Sequence, residues 1–389
     1  MSNALPSTLP DWLRHQAQHR PQALALRHKR LGKWHALSWQ EVATLVERLA
    51  AGLTRQGFLA GDALLLVSHP REEALLLSLA AQWNGGLAIP LDPQLGDAAL
   101  RAVLAQCAPR FVFAEDDVQV ERLLAHEGVQ VIDANPRNLA SHSHPAVIDY
   151  KRLTGQSEGG FASAAHTHGD AFAFVRLDAD GQLVEQRFTH ATLVHEAQHL
   201  VVQEKLGARD EAFAARAFAA ASQARYLIAP WLLSGFRLNF PESLATRDND
   251  RRELAPTLVL GTRETYARVA QLVNDRLPGV RSWRRRLIGQ AQRGQGGPIV
   301  RTLTWWFITR PLREVIGFAR THAALVIGAP LDENTAALFN ALRVDVHAWP
   351  DTCSWQRVSS PPQLQPQPQP QPRESQRHAT DGASEQPAY

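Results

Sequence analysis

Two cysteines, Cys107 and Cys353, stand in 389 residues. So few exclude a disulfide-stapled scaffold and a cysteine-rich zinc module. Lysine is almost as scarce. Of 41 basic residues only Lys29, Lys33, Lys151 and Lys205 are lysines; the rest are arginines. Any chemistry that needs an ammonium group therefore has four candidates. Long apolar runs are missing too. None reaches the ~18 residues of a membrane-spanning helix, and the nearest, 299–308, is broken by Arg301. The first thirteen residues are polar and proline-punctuated, without the basic start and apolar core of a secretory signal. A cytoplasmic location is the expectation. A net charge of only +3 gives no basic field of the kind that holds nucleic acid.

What is present is a 44% hydrophobic composition, enough for a packed core. At about 100–200 residues per domain, the length predicts two domains or one large lobe with sub-domains. Between 60 and 135 short apolar runs alternate with amphipathic stretches. Segments 63–68, 87–91, 110–114 and 129–132 read as strands, and 72–84, 97–106 and 118–126 as helices. That βαβαβαβ order predicts a doubly wound, mostly parallel sheet. A Ser-, His- and Gly-rich stretch, 135–169, reads as a junction. Beyond it, 171–177 and 183–188 read as strands joined by Asp178-Ala179-Asp180-Gly181, whose Asp-Gly pair is a hairpin signal. Segment 189–205 reads as a helix. Further strands are expected at 236–240, 257–260, 323–327 and 344–347, with helices at 263–275, 301–316 and 332–342. After Trp355, proline alternates with glutamine from 365 to 372, which forbids helix and sheet alike. The expectation is an α/β protein of two doubly wound sub-domains, 1–165 and 166–353, followed by a disordered tail, 354–389.

Several segments, in order, resemble the adenylate-forming (AMP-binding) superfamily, and within it the long-chain acyl-CoA synthetases. Trp34 through Glu41 resembles the family's W-x-x-x-T-W-x-E segment, Ala50-Ala51-Gly52-Leu53 its A-x-G-L, and Gly61-Asp62 its G-D. Gly85-Gly86 followed by Pro90-Leu91 is similar to its G-G-x-x-x-P-L strand, and Thr189-His190 to the T-H after its phosphate loop. Pro311-Leu312-Arg313 through Gly317, then Gly328-Ala329-Pro330-Leu331, resemble R-P-L-R…G and G-G-A-P-L. The resemblance covers about residues 10–353. It implies the large N-terminal domain of such a synthetase. The positions it implies as remnants of a nucleotide site are Gly181, Thr189, His190, Gly328, Ala329, Pro330 and Thr352.

The family's catalytic motifs are replaced. Its phosphate loop, T-S-G-T-T-G-x-P-K-G-V, converges backbone N–H groups, hydroxyls and a lysine on phosphate oxygens. The matching window, 176–186, reads Arg-Leu-Asp-Ala-Asp-Gly-Gln-Leu-Val-Glu-Gln, and only Gly181 is kept. Val184 stands at the lysine position, and carboxylates stand where a triphosphate would lie, repelling it. The family's Y-G-x-T-E, which supplies an adenine contact and a magnesium-binding Glu, aligns with Trp349-Pro350-Asp351-Thr352-Cys353. Cys353 replaces the Glu, with Asp351 as a weak substitute for metal binding. The family's mobile C-terminal domain carries its catalytic lysine; here the Pro-Gln tail follows, and all four lysines lie before residue 206. ATP, magnesium and CoA serve the family, but no cofactor is expected for this chain. The expectation is a non-catalytic member that binds an acyl or lipid ligand or partners an active synthetase. The alternative is a residual acyl-activating ligase that needs a separate C-terminal domain.

Other motifs compete. His195-Glu196-Ala197-Gln198-His199 is a literal H-E-x-x-H, which on a helix would present two zinc ligands and a general base. A zinc hydrolase is therefore a third reading, with Glu211 as a possible third ligand; an accidental helix-surface pair is the stronger one. His142/His144 and His166/His168 are metal candidates in the loose segment, more readily explained as solvated histidines. The basic stretch 281–293, with Trp305-Trp306-Phe307 behind it, is a candidate contact with an anionic membrane surface, though a solvated helix face packing its tryptophans inward is the stronger reading. The Pro-Gln tail reads as a spacer.

Overall fold

The computed structural model describes residues 5–134, 144–155, 163–276, 305–351 and 354–358. Fifteen strands in these residues form two sheets. The first is built from the predicted alternation: β3 (Ala63–Val67), β4 (Leu87–Leu91), β5 (Phe111–Ala114), β6 (Gln130–Asp133) and β7 (Val147–Asp149). All pair in parallel, with Leu64 opposite both Ala88 and Phe111. The antiparallel hairpin β8 (Asp170–Leu177) and β9 (Leu183–Thr189) extends this sheet beside β4. The strip β15 (Gln356–Arg357) pairs with β9, giving the order β15-β9-β8-β4-β3-β5-β6-β7.

The second sheet has the order β14-β13-β12-β10-β11-β1-β2. Its parallel part holds β10 (Glu211–Phe213), β11 (Arg237–Phe240), β12 (Leu258–Thr262), β13 (Ala323–Ile327) and β14 (Val346–Trp349). Its edge is the hairpin β1 (Leu24–Arg30) and β2 (Lys33–Ser38), with β1 parallel to β11. The expected division at 165/166 therefore does not follow the sheets. Residues 24–38 join the second sheet, and 170–189 complete the first. The expected tail start at 354 is also corrected: 354–358 include β15, and Val358 N–H donates to the Leu183 carbonyl. The remainder of the tail lies outside the described residues, as do 281–304. Of the helix expected at 301–316, the described part is a π-turn, Trp305–Thr309, running into a helix, Arg310–Ile316.

The largest core fills the space between the sheets. It takes Leu26 and Leu238 from one, Leu64 and Phe172 from the other, and the apolar faces of the intervening helices. Those helices are α1 (Leu9–His19), α2 (Trp39–Arg55), α3 (Glu72–Trp83), α7 (His190–Gln203) and the continuous α8 (Ala221–Gln223, Ala224–Ile228 and Ala229–Ser234). Of the rest, α4 (Asp97–Cys107) and α5 (Asp117–Leu124) cover the outer face of the first sheet, and the short α6 is Tyr150–Leu153. Beyond α9 (Arg247–Leu254), the helices α10 (Arg263–Arg276), α11 (Arg310–Ile316) and α12 (Glu333–Ala341) cover the outer face of the second.

Local sequence explains how these helices start. Thr8 accepts the Asp11 N–H at the head of α1. Ser38 and Glu41 form a reciprocal capping box on α2, with Ser38 N–H to Glu41 Oε2 at 2.7 Å. Gly52 on α2 is required by a close approach: a Cβ there would lie 2.4 Å from the Leu153 carbonyl oxygen on α6. Trp39 stacks on Trp231 of α8 at 4.8 Å, locking α2 to α8 in the central layer. Among the described residues no helix is long and apolar enough to cross a membrane.

Candidate functional site

The β8–β9 turn sits at the position of the expected phosphate loop. Leu177 and Leu183 face each other as the last pair of the ladder. Asp178 then closes the turn on itself. Its Oδ1 accepts the N–H groups of Asp180 and Gln182, both at 2.9 Å. Its own N–H donates to the Gln182 carbonyl at 2.8 Å, and the Gly181 N–H donates to the Asp178 carbonyl at 3.1 Å. Gly181 takes φ +73°, a conformation that favours glycine. Arg357 of β15 reaches Asp180 at 3.1 Å and Asp178 at 3.6 Å. Phosphate cradles work by leaving several N–H groups free to converge. Here the N–H groups of 178, 180, 181 and 182 are all committed within the turn, and two carboxylates stand beside them. These residues do not fit the phosphates of ATP.

Thr189 and His190 also have local partners. Thr189 caps α7 by accepting the Thr192 N–H. His190 is buried, and its Nδ1 accepts the Leu9 N–H at 3.2 Å. Burial pushes its pKa down to about 4, so near neutrality the imidazole is an uncharged acceptor tying α1 to α7.

The other remnants lie at the carboxyl ends of β13 and β14. Gly328, at φ +83°, donates its N–H to the Trp349 carbonyl at 2.9 Å. Ala329 and Pro330 are exposed, and the Pro330 carbonyl accepts from Arg263 at 2.7 Å. Trp349 is buried, donates to Glu204 at 2.9 Å and packs against Tyr226 and His199. The Pro350 carbonyl accepts from the Tyr226 hydroxyl at 2.6 Å and from Arg225 at 3.3 Å. Burial raises the Asp351 carboxyl above its ordinary range, against the opposing pull of Arg225. Thr352 and Cys353 lie outside the described residues.

Arg225 is the centre of this cleft, and sequence reasoning passed over it. It lies in the π-turn Ala224–Ile228 of α8, just before Pro230. Proline has no N–H to donate, and single π-turns inside a helix are rare and often mark functional sites. The buried guanidinium pairs with both Glu196 oxygens, at 2.6 and 3.1 Å, and lies over Phe188 and Tyr226. Glu196, the general base of the zinc reading, is thus committed to Arg225. His195 is exposed, and His199 meets Trp349 edge-on at 5.6 Å. Glu211 is buried on β10 among Arg27, Arg237 and Arg320. Among the described residues, no three His, Cys, Asp or Glu side chains stand where they could hold a metal. His144, His166 and His168 are exposed; His142 lies outside the described residues. The space left in the cleft is a cavity of about 370 Å³ lined by Glu185, Arg187, Phe188, Thr192, Glu196 and Gln356.

No lysine serves this cleft among the described residues. Lys29 pairs with Asp250 and Glu253, and Lys33, Lys151 and Lys205 are exposed. Burial pushes the Cys107 thiol up to about 11, which makes it a poor nucleophile. A second and larger cavity, about 760 Å³, opens beyond β4, β8 and β10. Arg216 and Arg247 on its wall were not singled out from sequence, because in an arginine-rich chain neither stands apart.

Comparison with known proteins agrees with this architecture. Residues 13–172 match the family model described as AMP-binding enzyme. A 2-succinylbenzoate–CoA ligase of Escherichia coli is 28% identical over 159 residues, 41% of this chain and 34% of that protein. A medium/long-chain-fatty-acid–[acyl-carrier-protein] ligase of Mycobacterium tuberculosis is 32% identical over 162 residues, 41% of this chain and 27% of its own length. The matched stretch thus spans about a third or less of these relatives. Among solved structures, VinN superposes with a TM-score of 0.65 at 17% identity, covering 88% of this chain and 73% of its own. A fatty acyl-adenylate ligase from L. pneumophila, solved with acyl adenylate and pyrophosphate, superposes at 0.62 and 13% identity, covering 87% and 53%. The fold is that of the N-terminal domain of adenylate-forming ligases.

Proposed function

We propose that this chain, whose residues 13–172 match the family model described as AMP-binding enzyme, is a non-catalytic member of that family. It works by binding an acyl or lipid ligand or by partnering an active synthetase, and it does not form acyl-adenylates. The observation that carries this is the closed 178–182 turn, in which Asp178 occupies the N–H groups a phosphate would need. The absence of a lysine near that turn, among the described residues, supports it. Fold outlasts site, and the intact scaffold does not by itself confer the relatives' activity. Neither ATP with magnesium nor CoA is part of the proposal. The proposed location is cytoplasmic, with peripheral contact at an anionic surface. Exposed Trp306 and Phe307, with Arg310 over the Trp306 ring, support that contact. ATP–pyrophosphate exchange with fatty acids tests the reading. No exchange above background is expected, and clear exchange overturns it.

A second reading is favoured by the open 760 Å³ cavity. In it the chain is an acyl-activating ligase whose lysine comes from a separate C-terminal domain. Calorimetric titration with ATP separates the two, since this reading requires heat of binding and the first requires none.

A further inference from the structure

The larger cavity has a charged corner that nothing so far explains. It lies beyond the carboxyl ends of β4, β8 and β10, where open parallel sheets take their ligands. Part of its wall is apolar, with Leu91, Val103 and Val175. Arg216 and Arg247 form another part, and both also line a narrow recess that continues to Arg251 and Arg268.

Four guanidiniums therefore share one corner. Burial holds Arg216 below its ordinary pKa, and Arg268 and Arg247 push it further; Arg251 is lowered by burial and then by Arg247, Arg268 and Arg252. The carboxylates acting against this are Asp248 and Glu264. Asp248 stands 3.9 Å from Arg247 and 3.4 Å from Arg251. Arg216 donates to the neutral hydroxyls of Thr262 and Thr265, at 3.1 and 3.0 Å. Arg251 is 8% exposed, and its Nε has no acceptor among the described residues. A buried donor left unpaired is costly, and like charges held together without enough counter-charge are costlier. Among the described residues, the carboxylate on the cavity wall is Asp92, which accepts the Gln94 N–H.

We propose that this cavity binds a phosphate monoester of an aliphatic group, with Arg216 and Arg247 on the phosphate and the tail against the apolar wall. A dianion matches the excess of positive charge in the corner, where a carboxylate supplies one charge. Phosphate oxygens also suit the planar guanidinium fork. The proposal rests on the reading that the chain binds ligand rather than adenylating it, and it gives that ligand a chemical class.

Isothermal titration of the full chain with n-decyl phosphate below its micelle concentration tests it, with n-decanoate and inorganic phosphate as separate arms. Decyl phosphate is expected to bind one to one, about tenfold or more tighter than decanoate, as befits an added charge-assisted contact. Inorganic phosphate, without a tail, is expected to bind more weakly than decyl phosphate. R247Q, at the partly exposed start of α9, and R216Q should each weaken decyl phosphate about tenfold or more. If R216Q loses its thermal transition, R247Q decides. Absence of binding, equal affinity for decyl phosphate and decanoate, or no change in R247Q overturns the proposal. A silent titration beside absent pyrophosphate exchange removes this inference alone, whereas positive exchange removes the functional reading beneath it.

Discussion

Acid should destabilise this protein through His190, by an amount that follows from its burial. The ring is 2% exposed, and its Nδ1 must stay unprotonated to accept the Leu9 N–H. Burial places its folded pKa near 4, against 6.5 for an ordinary histidine. Above pH 6.5 the ring is neutral in both states and contributes no pH dependence. Between 6.5 and 4 the unfolded chain takes up a proton that the folded chain refuses, so stability falls as pH falls. The loss attributable to this one ring is about 2 kcal/mol by pH 5 and about 3 kcal/mol near pH 4, below which both states are protonated. Urea unfolding followed by tryptophan fluorescence at pH 7.5, 6 and 5 measures it. The control is H190Q, whose amide oxygen can still accept the Leu9 N–H but does not titrate. The wild-type chain should lose about 2 kcal/mol more than H190Q between pH 7.5 and 5. Equal losses would refute the buried-acceptor account.

Two further perturbations test the packing and the cleft. G52A forces a Cβ to within 2.4 Å of the Leu153 carbonyl, where neither backbone can yield cheaply, so α2 and α6 must separate at about 2 kcal/mol. A thermal midpoint unchanged from wild type would refute the close approach of α2 to α6. E196A strips the carboxylate from buried Arg225 and should cost about 2–3 kcal/mol. The double change E196L with R225M should recover most of that, and a double variant as unstable as E196A would contradict the ion-pair account.

The parts of the fold legible in the sequence are those written locally. Parallel strands buried on both faces appear as continuous apolar runs, which is why 87–91 and 323–327 are found to the residue and 63–67 nearly so. The β8–β9 hairpin is equally visible, because Asp178 through Gly181 encode their own turn. The first sixty residues are harder. β1 reads Leu-Ala-Leu-Arg-His-Lys-Arg, a pattern that looks like surface. Arg27 and Lys29 on it pair with Glu211, Asp250 and Glu253, some two hundred residues downstream. The split at 165/166 fails for the same reason: strand order does not follow chain order, and the hairpin β1–β2 joins a sheet whose other strands all come after residue 210.

The site divides along the same line. The loss of a phosphate cradle is a local event, legible as aspartates and a valine where glycine, hydroxyls and lysine would stand. What occupies the cleft is not local. Arg225 finds Glu196 on a neighbouring helix and Pro350 at the end of a strand, and only the fold brings the three together. The arginine corner is assembled from a loop after β10, from α9 and from α10. Codon bias can raise the number of arginines, but it cannot place Arg216 and Arg247 on the cavity wall and Arg251 and Arg268 in the recess behind it. That selection is made by the strand ends, where successive loops of a parallel sheet converge on one side. The four lysines lie elsewhere, and it is the placement of arginine that gives the cavity its charge.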